Sequence, residues 1–265
     1  MLIDGIITDL QIGDYKVTRV PEMRIWYNRF APMSLCYLTL ADPDAELYNT
    51  FSAGMAAVLT YGYRSGDQAT WSGTIIQFHR SNDNLYIVCG DAGRAVFKTK
   101  ITEFWAGDSA AAIIKNVLGR IGEIGTIQDD EISLPAFTAS NITVHDLVRK
   151  VEHSLQTAYG IDMSDYALFL ADGQWNWGTH GIDGDVPIVA SQEGLISHMP
   201  GLPGYGGKQT VETWPLVGFT HSRTFRLIDK TAGIDDTFMA SGVLHIFGDK
   251  YVRTFIEYGG GYEKY

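Results

Sequence analysis

Closely spaced carboxylates are the side chains of this sequence with the clearest capacity for metal binding or acid–base chemistry. They occur at Asp162 and Asp165, and again at Asp183 and Asp185. An EF-hand calcium loop needs oxygen ligands at positions one, three and five, glycine at six and glutamate at twelve, and that register is absent. A glycosidase needs two carboxylates facing one sugar, which spacing alone cannot establish. We interpret these acids as parts of solvated loops.

Histidine and cysteine are the other potential metal ligands. The histidines lie at His79, His145, His153, His180, His198, His221 and His245. Only His145 and His153 fall in one predicted helix, and they are two turns apart, too far for one ion. Neither H-E-x-x-H nor C-x-x-C occurs, so no metal or cofactor is predicted. Cys36 and Cys89 lie in apolar runs, which favours reduced core thiols over a disulfide.

A glycine-rich segment, residues 201–208, ends in Gly-Lys as a phosphate-binding loop does. The match fails because Leu202 stands where the first glycine belongs, Gln209 follows the lysine, and no strand or helix frames the segment. The nucleophile motif G-x-S-x-G is absent as well. No catalytic residue is predicted, and the sequence indicates a protein that is not an enzyme.

Two groups of apolar side chains are candidate contact sites. Trp175 and Trp177 lie two residues apart, on one face of a predicted strand, where they could stack on a sugar or pack in a core or subunit interface. Leu202, Pro203 and Tyr205 stand between glycines, with little local core to pack against. We predict that these five residues contact a neighbouring subunit or partner.

Composition and charge narrow the class of protein. The chain has 265 residues, 45% of them hydrophobic, which excludes disorder for the bulk of it. Its net charge is -11, and residues 101–190 carry 13 acidic but only 4 basic side chains. Such a chain has no basic face for tight nucleic-acid binding. No apolar run is long enough to span a membrane, and the start does not look like a secretion leader.

The predicted elements fall into three segments. Residues 1–105 alternate in short runs typical of a barrel or sandwich, including a hairpin about Ser81–Asn84. Residues 106–207 contain a helix over 108–121, with Asp108 or Ser109 as its cap and Gly122 as its stop, and a second helix capped by Thr143. They also contain an irregular acidic stretch at 123–141, an Asp172–Gly173 hairpin and a Gly/Pro-rich loop from 178 to 207. Residues 208–265 are β again. The fold class is therefore mainly β with a small α insertion.

This order of elements resembles that of the tail baseplate hub proteins of long-tailed bacteriophages, which are related to the N-terminal domains of spikes in contractile injection systems. The resemblance is carried by four stretches: residues 71–92, which form the first hairpin, the helix at 108–121, the hairpin at 168–177, and the Gly-Leu-Ile segment at 194–200.

The resemblance implies two tube-like β-barrel domains, residues 1–105 and 208–265, joined by the insert at 106–207. It also implies a homotrimer that forms a pseudo-sixfold ring between the hexameric tail tube, or a distal tail protein, and the central trimeric spike, beside other baseplate proteins. DNA would pass in transit through an acidic lumen. The location would be the virion baseplate, after assembly in the host cytoplasm.

Two alternatives stay open at this point. One is a carbohydrate-binding module of the tail tip, in which Trp175, Trp177 and the loop at Asp183–Asp185 would form a sugar and calcium site. The other is a cell-wall hydrolase with carboxylates or zinc ligands brought together only in space.

Overall fold

The computed structural model describes residues 5–17, 20, 22–201, 207–248 and 251–259. The chain is mainly β with a small helical part, which confirms the predicted fold class. It divides into two compact units. The first unit, here the β unit, comprises residues 1–28, 34–91 and 183–260, and the second, here the insert unit, comprises residues 29–33, 92–182 and 261–265.

Seven strands and a short helix precede the insert. They are β1 (Ile6–Ile12), β2 (Tyr15–Val17), β3 (Glu22–Asn28), β4 (Leu35–Ala41), α1 (Glu46–Thr50), β5 (Ala56–Tyr63), β6 (Gln68–Ser81) and β7 (Asn84–Gly90). The predicted turn is present between β6 and β7, where Asn82 has the positive φ that asparagine tolerates.

The insert carries most of the helical residues. After a 3₁₀ turn (Ala92–Arg94) come α2 (Ala95–Lys98), β8 (Lys100–Trp105), α3 (Ala110–Leu118), β9 (Glu123–Ile127), β10 (Phe137–Thr143), α4 (Val144–Tyr159), β11 (Ala167–Ala171) and β12 (Gln174–Gly178). Both predicted helix caps are confirmed, since Ser109 accepts from Ala112 N–H and Thr143 accepts from Asp146 N–H. Helix α3 ends at Gly119, before the predicted Gly122.

Six further strands complete the chain. They are β13 (Ile188–Ser191), β14 (Gly194–Met199), β15 (Gln209–Thr213), β16 (Thr224–Asp229), β17 (Ile234–Gly248) and β18 (Val252–Tyr258). Strands β9, β10, β13 and β14 correct the sequence analysis, which assigned these stretches to irregular structure. None of the helices in the described residues could span a bilayer.

The β unit contains the same strand arrangement twice. The first repeat is β1 with β3–β7, and the second repeat is β13–β18. Their pairing orders are β3-β4-β7-β6-β5-β1 and β14-β15-β18-β17-β16-β13, which match strand for strand in chain order. The last pair differs in direction, since β1 is antiparallel to β5 whereas β13 is parallel to β16. Each repeat also has one long strand, β6 or β17, that bends at a bulge and so pairs with different strands along its length.

The two repeats differ in closure. In the second repeat β13 pairs with β14 and β16 pairs with β17, so six strands form a closed barrel. In the first repeat no described strand joins β1 to β3, and β2 continues the open sheet. Each repeat has its own apolar cluster, one around Ile25, Leu38 and Ile87, the other around Phe225, Val243 and Ile256.

The compact units do not follow the predicted domain boundaries. Strand β8, placed in the first β domain by sequence, belongs to the insert unit, and the β unit resumes at Asp183, well before residue 208. The two β segments also form one compact unit, because β17 of the second repeat pairs with β3 of the first over seven residues. Cys36 and Cys89 lie opposite each other in β4 and β7 as buried free thiols, as predicted.

Candidate assembly surface

One continuous sheet runs through both repeats. Its strand order is β14-β15-β18-β17-β3-β4-β7-β6, and all seven neighbouring pairs are antiparallel. We call it the eight-strand sheet. It consists of two four-strand segments with the same internal order, and β17 and β3 form the junction between them.

The eight-strand sheet ends in two open edges. At one end, residues Gln77–Ser81 of β6 pair with β7 on one side, and no described strand pairs on the other. At the other end, β13 reaches only Gly194 and Leu195 of β14, so no described strand covers Ile196–Met199. We call these segments the β6 edge and the β14 edge. Unpaired backbone N–H and C=O groups at such an edge can bind another strand.

A buried polar network holds the β14 edge in place. His198 of β14 has Nδ1 2.9 Å from Asp229 Oδ2 and Nε2 2.8 Å from the hydroxyl of Tyr258. That hydroxyl also donates to Gln209 Oε1 at 2.9 Å. The network therefore joins β14, β15, β16 and β18 inside the barrel, and a buried, fully bonded network of this kind fixes strand positions.

Electrostatics within this network match its hydrogen bonds. The hydrogen bond from His198 lowers the pKa of Asp229, helped by the backbone N–H groups of Ala232 and Thr231. Burial, with Asp229 nearby, raises the pKa of Tyr258 to about 12. Asp229 is thus a carboxylate and Tyr258 a neutral hydroxyl at neutral pH. The network contains no serine, cysteine or lysine nucleophile, and we assign it a positioning role.

A second network lies at the junction strand β17. His245 is fully buried, with Nδ1 2.8 Å from Thr254 Oγ1 and Nε2 2.8 Å from the carbonyl oxygen of Phe219. Thr254 Oγ1 in turn accepts from Leu216 N–H. Burial lowers the pKa of His245 to about 4, so its imidazole is neutral near neutral pH. The network ties the segment at 216–219 to β17 and β18.

The face of the eight-strand sheet opposite the two cores carries a row of apolar side chains. Phe255, Leu244, Trp26 and Leu35 lie opposite one another across β18, β17, β3 and β4. All four are half-buried, and neither core cluster of the β unit includes them. The row crosses the β17–β3 junction without interruption, so the two segments present one shared surface.

Charges on the same face occur in opposite pairs. Arg24 contacts Glu22 at 2.6 Å, Arg253 lies 3.3 Å from Glu212, and the Lys208 ammonium lies 2.7 Å from Glu257. This part of the β unit is therefore close to neutral although the whole chain is strongly acidic. Like-charge repulsion does not oppose the approach of another protein here.

The structure corrects the predicted use of the two tryptophans. Trp175 and Trp177 are each about 1% exposed and lie in the core of the insert unit. The indole N–H of Trp177 donates to Glu152 Oε1 at 3.1 Å, and its ring packs on Tyr166. Neither ring is accessible to a subunit or a sugar, so the interface prediction is wrong for both, and the carbohydrate-binding alternative loses its stacking platform.

The remaining predicted sites have mixed outcomes. Leu202, Pro203 and Tyr205 lie outside the described residues. Asp183 and Asp185 are exposed. Among the described residues, no group of three or more His, Cys, Asp or Glu side chains is placed to hold a metal ion.

No protein-family model matches the sequence, and no curated protein matches it. Solved structures do match. A 43 kDa tail protein of prophage MuSo2 from Shewanella oneidensis superposes with a TM-score of 0.68, covering 95% of each chain at 11% identity. A tail protein from Neisseria meningitidis gives 0.67, covering 96% of each chain at 11% identity.

The chain shares its fold with these phage tail proteins. A component of the E. coli type VI secretion system, described as structurally similar to the T4 tail proteins gp27 and gp5, shares this fold with a TM-score of 0.67. The match covers 97% of this chain and 78% of that one at 8% identity. At such identities the likeness concerns the fold. The sequence analysis did not predict the β6 edge or the β14 edge. The only local signals of these edges were the Gly-Leu-Ile segment and the hairpin turn beside β6.

Proposed function

We propose that this chain is a structural hub of a phage tail baseplate, a homotrimer whose β units form a pseudo-sixfold ring between the hexameric tail tube and the trimeric spike. The tail-protein fold supports a structural, non-enzymatic role in the virion. Neighbours would be a tube or distal tail protein above, the central spike below and other baseplate proteins around it. Assembly in the host cytoplasm precedes incorporation into the tail.

The repeated strand order is the observation that carries this proposal. Each chain supplies two four-strand segments with the same order, joined head to tail at β17–β3. Because the sheet has eight antiparallel strands, its two outer strands, β14 and β6, run in opposite directions. A second copy placed beside the first in the same orientation therefore presents its β14 edge antiparallel to the β6 edge of the first. Such a heterologous contact repeats from copy to copy, and it closes into a trimeric ring when each copy is rotated by one third of a turn from the last.

The number of segments suits an adaptor. Three chains would present six equivalent β segments to a hexameric tube, while the insert units would keep true threefold symmetry for a trimeric spike. A ring also removes both open edges, which are otherwise a hazard for unspecific strand pairing.

We further propose that DNA passes through the ring without binding to its wall. Of the 13 acidic residues between 101 and 190, all except Glu103 and Glu152 are exposed. Exposed carboxylates repel a phosphate backbone. Reversal of several of these charges to lysine is expected to make the assembled ring retain double-stranded DNA in a filter-binding assay at low salt, whereas the unmodified ring passes it.

The test of the proposed assembly is the mass of the purified full chain in solution, by light scattering over a range of concentrations. The proposal predicts a species of three times 29.3 kDa, with and without a metal chelator. A monomer at every concentration, also in the presence of the tube protein, would contradict it.

A further inference from the structure

We infer that the β6 edge of one chain pairs antiparallel with the β14 edge of a second copy, with Gln77 opposite Met199 and His79 opposite Ser197. This inference rests on the proposed ring and specifies its interface residue by residue. It follows from the registers within the chain, since the β17–β3 junction already shows how the end of one repeat meets the start of another.

The hairpin turns align β6 with β17. In the first repeat Ser81 is the last residue of β6 and faces Asn84. In the second repeat Gly248 is the last residue of β17 and exchanges backbone hydrogen bonds with Tyr251. Counting back from the turn, Ile246 is equivalent to His79 and Leu244 to Gln77. The bulges lie beyond these positions and do not disturb the count.

The neighbouring strands align β14 with β3. Counting forward from the same turns, Val88 is equivalent to Phe255. Val88 faces Tyr37 and Phe255 faces Glu212, so Tyr37 and Glu212 are equivalent.

The next pairs along the sheet complete the alignment. Tyr37 faces Arg24, and Glu212 faces Ser197. Arg24 therefore corresponds to Ser197, and Trp26, two residues later, corresponds to Met199.

The junction then supplies the intermolecular register. Within the chain, Leu244 faces Trp26 and Ile246 faces Arg24. Replacing each residue by its equivalent gives Gln77 facing Met199 and His79 facing Ser197 across the contact between copies.

Side-chain chemistry at the two edges is compatible with this register. Gln77 and Met199 are exposed in the single chain, so a neighbour can reach them. His79 stacks on Tyr86, and Arg80 follows it, so the β6 edge carries basic and no acidic side chains. Ser197 donates to Glu212 Oε2 at 3.0 Å, which places a carboxylate beside the β14 edge. Arg253 already pairs with that carboxylate and the β6 edge has no acidic side chain, so like-charge repulsion does not oppose the contact.

Disulfide trapping tests the register. Residues directly opposite in an antiparallel pair bring their Cβ atoms within disulfide reach, whereas diagonal neighbours lie roughly 7–8 Å apart and do not. The double variants Gln77→Cys/Met199→Cys and His79→Cys/Ser197→Cys are therefore oxidised mildly and run on denaturing, non-reducing gels. The offset variant Gln77→Cys/Ser197→Cys is the matched control. The native thiols Cys36 and Cys89 are buried and face each other within one chain, so a disulfide between them would add no band of higher mass.

We expect the two matched variants to form covalent dimers and trimers, at least roughly tenfold more than the offset variant. A trimer by light scattering without crosslinking of either matched pair, or with preferential crosslinking of the offset pair, would overturn this register and leave the proposed ring intact. A monomer at all concentrations would overturn both. Use of two independent matched pairs guards against one variant that fails to fold.

Discussion

The first repeat packs hydrocarbon where the second repeat holds hydrogen-bonded polar pairs. Phe78 of β6 faces Ile87 of β7, and at the equivalent positions His245 of β17 faces and bonds Thr254 of β18. Ile25 corresponds in the same way to His198. The strand arrangement is therefore set by registers, turns and bulges, while the chemistry of the interior is free to differ, as expected when pattern and volume are kept.

The repeats also differ in what they leave open. The second repeat closes its barrel through β13 and keeps only a short edge on β14, whereas the first repeat stays open. In the proposed ring, each repeat would therefore supply one half of a contact, the first through the β6 edge and the second through the β14 edge.

Deleting a large core side chain in each repeat is expected to have the greatest effect. Trp71→Ala and Phe225→Ala should each lower the free energy of unfolding by about 3–5 kcal/mol, because both rings are buried. Since β17–β3 links the repeats, both variants should shift one common transition in denaturant, followed by far-UV circular dichroism. Two separate unfolding transitions, each shifted by only one variant, would contradict the conclusion that the two repeats form one compact unit.

Acid should weaken the second repeat through His245. Its pKa is about 4 in the folded chain, against about 6.5 when exposed, so the unfolded chain binds more protons between these values. The free energy of unfolding should therefore fall by about 3 kcal/mol as the pH drops from about 6.5 to about 4.

The variant His245→Phe, which restores the residue type of the first repeat, should remove most of this pH dependence. Some dependence of the free energy of unfolding on pH will persist, because burial also lowers the pKa of His145 and His180 in the insert unit. His153→Gln, on the exposed side of α4, is the control and should leave the dependence unchanged. The free energy of unfolding is measured by denaturant titration at each pH. If it depends on pH as strongly in His245→Phe as in the unchanged chain, protonation of His245 is not the cause.

Replacement of the glycine near each bulge by alanine should lower the stability of the chain by unequal amounts. A Cβ on Gly73 would lie 2.4 Å from the backbone oxygen of Gly90, which cannot move without shifting β7, whereas a Cβ on Gly242 would meet the flexible carboxylate end of Glu257. We expect Gly73→Ala to cost about 1–3 kcal/mol, and Gly242→Ala less than about 1 kcal/mol. Equal losses in thermal melts would mean that the two bends are equally constrained.

Removal of an exposed ion pair should have the same negligible effect on stability in both parts of the β unit. Lys16–Asp9 joins β1 and β2, and Arg226–Asp235 joins β16 and β17, and all four side chains are largely exposed. Solvent and salt screen such pairs. Lys16→Gln and Arg226→Gln should both leave the melting temperature unchanged within error, and a clear drop in either would indicate a role beyond surface charge.

Local signals in the sequence predicted local structure. The turn at Asn82–Asp83, the hairpin at Asp172–Gly173 and the caps Ser109 and Thr143 are all present, because each depends on residues a few positions apart. The fold class followed from these elements.

The repeat and the two edges could not be predicted in this way. Equivalent positions hold unlike residues, such as Tyr37 and Glu212, so the sequence shows no period. Strand β14 lies in the glycine- and proline-rich stretch that the sequence analysis assigned to a loop, between Gly194 and Pro200, and is held by long-range pairing with β15. Burial of Trp175 and Trp177 likewise depends on α4 and β9, which contact them from distant parts of the chain.

In the proposed assembly, the two repeats of each chain lie side by side in the wall of one ring. Averaged end-on electron micrographs of the purified full chain test it most directly. We expect a closed ring with threefold symmetry and six similar β segments around its bore. Particles without a bore, or with a twofold axis relating two chains, would contradict it.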